Sequence, residues 1–334
     1  MTEANNEVNV TIIREGGVKR DNSIDIAKGI TMLMVIWMHC TNNLPKVSEL
    51  NFISSFISVM YMPCFFLISG FFIKNEPYKS FLSKKIKTLL WPLLFVYVLS
   101  FVFALTISHV RPDWLKNEVC FWNIFRSENF TNGPIWFLSA LFLALNITHF
   151  ILRLPNVWIK WIIALSVCAT GFYWRSFSEW RLPLFFDTGL TAVGFVFAGS
   201  YIRKIMNGID NTWMLLGLTF VCYVSTLFIR VGCSMQSNAY SGNLLMFIIA
   251  ATAGSTAVLA LSKCINHNQV LQYIGRNSLI VLCFHMFVIM GTSFIIKKVV
   301  HSDFAALVIC FAVTTVITTT IIPIIKKTLY FVFK

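Results

Sequence analysis

Residues 24–40 read IDIAKGITMLMVIWMHC, and this stretch decides the fold class. Ten residues with no ionisable side chain separate Lys28 from His39, and the apolar run continues on the helical rather than the strand scale. Similar runs recur through the 334 residues, at about 24–43, 52–73, 88–108, 135–152, 157–174, 183–202, 212–230, 243–262, 278–296 and 304–325. As helix, each is long enough to cross ~30 Å of hydrocarbon. The chain is 57% hydrophobic and only 12% charged, with a mean hydropathy of +0.73. Soluble domains usually carry about 25% charged residues, so this chain lacks the polar surface to cover itself in water. The expected fold is an all-α, polytopic membrane protein of about ten transmembrane helices. Residues 1–20 form a polar tail and residues 21–334 a single transmembrane domain. No cleavable leader is expected, since the first apolar run starts only at Ile24.

Proline positions refine the spans. Pro63 is expected to bend the second helix, and Trp91-Pro92 to kink or begin the third. The net charge of +13 does not point to nucleic acid, because Lys and Arg gather in the short turns between apolar runs. Eighteen of the 27 lie on the side of the amino terminus and nine on the other. That excess places both termini in the cytoplasm. The nine cysteines are scattered singly, without a C-x-x-C pair or a metal-ligand cluster, so no metal is expected. Cys120 and Cys233 share a side and are free to pair.

Ionisable groups inside lipid are costly and mark function by default. Lys28 and His39 are 11 residues apart, almost three turns, so they share a helix face with ~16 Å between them. Asp25 lies one turn before Lys28 and is placed to pair with it. Asp187 and His285 are the other ionisable groups well within spans. For each, a structural reading stands beside the functional one. Lys28 snorkels to the interface or holds an anion. The two histidines bind helices together or move protons. Asp187 pairs with Arg181 or Arg175, or else orients His39 and binds hydroxyls. Trp136 belongs to the interfacial aromatic belt or stacks on a ring. Lys84, Lys85 and Lys87 serve topology or build a basic mouth. Counted from the same side, His285 lies seven positions shallower than His39, ~10 Å, so the two rings are not expected to touch.

Six segments in order then carry a resemblance: SIDIAKGITMLMVIWMH (23–39), MPCFFLISGFFIKN (62–75), KKIKTLLWPLL (84–94), GPIWFLSALF (133–142), FDTGLTAVGFVFAGSYIRK (186–204) and IGRNSLIVLCFH (274–285). Together they resemble the membrane-bound acyltransferase family 3, in particular its branch of fucose 4-O-acetylase-like sugar O-acetyltransferases. The resemblance implies transfer of an acyl group, acetyl by family habit, from cytoplasmic acyl-CoA to a carbohydrate hydroxyl, lipid-linked or at the cell surface. It also implies a bacterial cytoplasmic membrane, no permanently bound cofactor, and acetyl-CoA as co-substrate. By the same comparison His39 is the catalytic histidine, and Lys28 stands where the family usually has Arg. On this reading Lys28, Asp25, Lys84, Lys85, Lys87, Arg276 and His285 line the donor path. Asp187 supports catalysis or the acceptor, and Trp136 the acceptor. Without the resemblance, a proton-coupled transporter or flippase using His39, Asp187 and His285 as a relay fits equally. Oligomeric state is open.

Overall fold

A computed structural model describes residues 21–110, 120–209, 211–227 and 232–333. The expected tail, 1–20, lies outside the described residues, as do Arg111, Lys116, Arg230 and Lys334 of the charge count. The chain is a multi-pass α-helical membrane protein. Among the described residues, eight helical stretches are long and apolar enough to cross a membrane. Two further apolar helices, at 157–172 and 212–224, are shorter. They coincide with the expected fifth and seventh spans, and a 16-residue helix reaches only ~24 Å.

The helices run in order α1 (Asn22–Asn43), α2 (Asn51–Ser58), α3 (Tyr61–Gly70), α4 (Tyr78–Lys85), α5 (Trp91–Val110) and the single turn α6 (Asn123–Arg126). There follow α7 (Trp136–Ile151), α8 (Val157–Phe172), the single turn α9 (Trp174–Phe177), α10 (Phe186–Asn207) and α11 (Thr212–Leu227). The last five are α12 (Leu244–Ile265), α13 (Gln269–Arg276), α14 (Ser278–Val299), α15 (Asp303–Thr320) and α16 (Ile322–Thr328). The only strands among the described residues are Cys233–Ser234 and Ala239–Tyr240, which pair antiparallel, Cys233 opposite Tyr240, as a hairpin tip before α12. All nine cysteines are free thiols, so Cys120 and Cys233 do not pair.

Both expected proline effects are visible one turn upstream of the proline. The second span breaks between α2 and α3, at Val59–Met60. Pro63 has no N–H to give the carbonyl four residues back, and that carbonyl belongs to Val59. Likewise a π-helical turn, Ile86–Leu90, precedes Pro92 and absorbs the bond it cannot make to Thr88. The third helix does not begin at Trp91, however. It continues back through α4, so Lys84 and Lys85 lie on helix rather than in a turn.

Among the elements outside the expected spans, α13 bears most on the site. Asn268 caps it by accepting from the Leu271 N–H at 2.9 Å. Its glycine face lies directly on α1: a side chain at Gly29 would strike the Leu271 carbonyl, and one at Gly275 the Asp25 carbonyl. No side chain separates the two backbones there. Elsewhere α10 packs against α3, α7 and α8, and Gly70, Gly171 and Gly199 meet neighbouring backbone in the same way.

Replacing Gly275 by Val should force α13 off α1 and cost about 1–3 kcal/mol. Thermal melting of the detergent-purified protein should show a clear fall in Tm. Gly291→Ala, where an added methyl meets nothing within 4 Å, should melt like the parent.

Candidate active site

The first turns of α1 carry an ionic joint. Asp25 is buried, and its Oδ2 accepts from Arg276 Nε at 3.0 Å. The same guanidinium donates to Asn22 Oδ1 at 3.2 Å and Gln272 Oε1 at 3.3 Å. Arg276 therefore clamps α13 onto α1. Lys28, one turn further in, lays its ammonium 4.6 Å from the centre of the Phe72 ring. It also lines a cavity of about 160 Å³ with Met32, Ser69, Leu89, Ser278 and Leu282, among others. Most of that wall is apolar.

The cavity sets a depth scale. Because Lys28, Met32 and Ser278 border the same space, α14 starts level with residues 28–32 of α1, not with its first turn. Seven residues beyond Met32 comes His39, and seven beyond Ser278 comes His285, each ~10 Å further along its helix. The two rings accordingly meet, with centroids 5.2 Å apart and planes inclined at 52°. This corrects the expectation that His285 lies shallower than His39 and out of reach. That reckoning began both helices at one membrane level, whereas α13 occupies the level beside Asp25 and Gly29 and delays the start of α14.

His285 is fully buried, while His39 is half-buried. The Nδ1 of His285 lies 2.8 Å from the Val281 carbonyl. A carbonyl can only accept, so Nδ1 carries the proton and Nε2 is left with its lone pair. That Nε2 is buried and has no hydrogen-bond partner. The loop before α7 braces the same helix segment: Asn132 Nδ2 donates to the Cys283 carbonyl at 2.8 Å. Asn132 escaped the sequence reading, since a lone loop asparagine gives no sign of a contact 151 positions away.

Asp187 stands apart from the histidines. It is fully buried and takes two hydrogen bonds from Arg181, Nε to Oδ2 at 2.8 Å and Nη2 to Oδ1 at 2.9 Å. Arg181 Nη1 also donates to the carbonyls of Ser127 (3.1 Å) and Gln236 (2.7 Å). The pair thus ties three loops together at the far end of the bundle. The same guanidinium lies over Phe185, whose backbone takes the left-handed conformation, as does that of Leu184. Asp187 does not orient His39. Trp136 is buried as well, packed against Phe66, Phe137 and Phe185 with centroids 6.1–6.3 Å apart, so it forms wall rather than a free stacking surface.

Lys84, Lys85 and Lys87 do not line the Lys28 cavity. Lys84 pairs with Glu76 at 2.5 Å, and with the Ser80 hydroxyl it holds that carboxyl below the usual glutamate range. Lys85 lies over Phe81, and Lys87 is exposed. A second and larger hollow, about 500 Å³, opens near Glu76 and is lined by Lys74, His149, Arg153, Lys160, Tyr201 and Lys204 among others. By sequence alone those cations serve topology.

A profile of the acyltransferase 3 family, described as an acyltransferase domain, matches residues 21–324. The chain belongs to the acyltransferase 3 family. It is a membrane acyltransferase, and the match spans every helix from α1 to the start of α16, including both histidines and Lys28. No curated protein and no solved structure matches the chain. The family match does not favour the transporter reading. Nor does the geometry form its relay, for Asp187 is held by Arg181 and only the two histidines meet.

Arg181→Gln should leave Asp187 as an uncompensated buried charge and destabilise the protein by about 3–5 kcal/mol. Adding Asp187→Asn should restore most of that loss. Denaturation of the single and double variants in detergent measures both.

Proposed function

We propose that the protein moves an acyl group, acetyl by preference, from cytoplasmic acyl-CoA to a hydroxyl of a carbohydrate, with His39 as general base. The observation that carries this reading is the meeting of His39 and His285 one turn beyond the Leu282 wall of a cavity that begins at Lys28. The cavity is apolar along its length and cationic at its mouth. That character suits a thioester-bearing arm whose charged end stays at the cytoplasmic face.

In this mechanism the acceptor hydroxyl attacks the thioester carbonyl. His39 takes the hydroxyl proton and, as the C–S bond breaks, gives it to the departing sulfur, which leaves as the thiol of coenzyme A. General-base assistance of this kind contributes ~10²–10⁴-fold. His285 acts through His39 as a positioning residue. Its Nδ1–H is committed to Val281, so its Nε2 can only accept, and the half-buried His39 ring is beside it. An N–H of His39 given to that lone pair would leave the other His39 nitrogen unprotonated and ready for the hydroxyl. Lys28 serves as a point charge at the mouth, without the bidentate fork that Arg would bring. Acyl-CoA is then a consumed co-substrate and not a resident cofactor. On this reading the protein is a sugar O-acetyltransferase related to the fucose 4-O-acetylase branch, working in the cytoplasmic membrane of a bacterium. A lipid-linked sugar is an acceptor of suitable chemistry.

His39→Ala, assayed in membranes with acetyl-CoA and a carbohydrate acceptor, should lose at least ~10²-fold in turnover at normal expression. Near-parental turnover would end the assignment. His285→Ala should lower kcat while leaving the KM for acetyl-CoA nearly unchanged; an effect on KM alone would instead place His285 in donor binding. Lys28→Gln should raise that KM, and Lys28→Arg should keep it near the parental value.

A further inference from the structure

The 500 Å³ hollow gathers four cations from four separate places in the chain. Lys74 follows α3, Arg153 follows α7, Lys160 is in the first turn of α8, and Lys204 is in the last turn of α10. None of the described residues lining it is acidic. The nearby carboxyl of Glu76 is already engaged by Lys84 and Ser80. Cations that served topology alone would lower their mutual repulsion by spreading around the rim. Here they converge on one concavity. His149 lines the same hollow, stacked on Phe81 at 4.2 Å, and its Nε2 is buried without a hydrogen-bond partner. Four positive charges and one unused ring nitrogen form a site for an anion with several oxygens.

The hollow also adjoins the narrower cavity. Ile73 borders the hollow, and its neighbour Phe72 carries the ammonium of Lys28, which borders the cavity leading toward His39. Arg203 lies over the same Phe72 ring at 5.7 Å and donates to the Phe71 carbonyl, so positive charge is continuous between the two spaces.

We propose that this hollow is the phosphate site of the acyl donor: it holds the phosphorylated nucleotide end, while the arm bearing the thioester passes Phe72 and Lys28 into the apolar cavity. The proposal rests on the acyl-CoA reading above and adds where the charged end binds. Arg153 offers a planar fork to phosphate oxygens, the three lysines offer point charges, and Tyr201 a ring edge beside the base. The same phosphate chemistry occurs in anionic lipid headgroups, which the experiment separates from the nucleotide.

The test is calorimetric titration of the purified full-length protein with free coenzyme A, with turnover measured in parallel. The Lys160→Gln/Lys204→Gln double variant should bind coenzyme A about tenfold or more weakly. Its KM for acetyl-CoA should rise to match while kcat changes little, and Lys160→Arg/Lys204→Arg should keep the parental affinity. Parental affinity should also fall as salt is raised. Unchanged coenzyme A affinity in the Gln variant would overturn the proposal. So would a Gln variant that loses only the thermal stabilisation given by phosphatidylglycerol nanodiscs relative to phosphatidylcholine ones, because the occupant would then be a lipid headgroup. The two readings fail separately. Coenzyme A binding that needs these cations, in a protein that transfers no acyl group, would sink the transferase reading alone. Normal transfer with an unchanged KM in the Gln variant would sink the phosphate site alone.

Discussion

The backbone contact between α1 and α13 sets the level at which everything else in the site is placed. Gly29 and Gly275 let two helices touch without side chains between them, and Arg276 locks the contact by bonding Asp25, Asn22 and Gln272 together. Small residues are the usual means by which helices in lipid come this close, since packing and interhelical hydrogen bonds, not water exclusion, hold them. With α13 fixed beside residues 25–29, α14 has to start about two turns up α1. That offset brings His285 level with His39. A bulky residue at either glycine would change the distance between two imidazoles far from it.

The molecule spends its buried charges in two different ways. At one end, Asp187 and Arg181 form a fully hydrogen-bonded pair that also takes up loop carbonyls, and the pair acts as a rivet. A buried ion pair with all its oxygens used has little left to offer a substrate. At the other end, Arg276 pairs with Asp25 and Lys84 with Glu76, while the lining of the larger hollow holds Lys74, Arg153, Lys160 and Lys204 and, among the described residues, no acidic side chain. Between the two ends lies the histidine pair, with one ring nitrogen buried and unpartnered. Saturated polar groups hold the fold. Unsaturated ones point to chemistry.

Two histidines in contact differ from one histidine alone. A single imidazole in a low-dielectric bundle has either tautomer open to it, and burial disfavours its charged form. When its neighbour has one nitrogen committed to a backbone carbonyl, only one orientation of the pair gives a hydrogen bond between the rings. The Val281 carbonyl, itself helical backbone, thereby fixes which nitrogen of His285 keeps its lone pair.

The sequence by itself determined the class of the fold, because apolar runs of membrane length cannot be covered in water whatever their arrangement. The ordered segments around Lys28, Ser69, Trp136 and His285 were also legible, and they agree with the family the chain belongs to. Helix breaks at Val59 and at Ile86–Leu90 followed from proline's missing N–H, within a turn. Depth was not legible. Counting from the start of each apolar run put His285 ~10 Å from the level of His39, because α13 is short, polar on one side and invisible to a search for spans. Nor could sequence say which of several possible partners Asp187 takes, or that Lys74, Arg153, Lys160 and Lys204 share one hollow. Apolar periodicity reports how a helix meets lipid, residue by residue along one chain. Which ions and rings meet across helices depends on the offsets between them, and tertiary packing alone sets those.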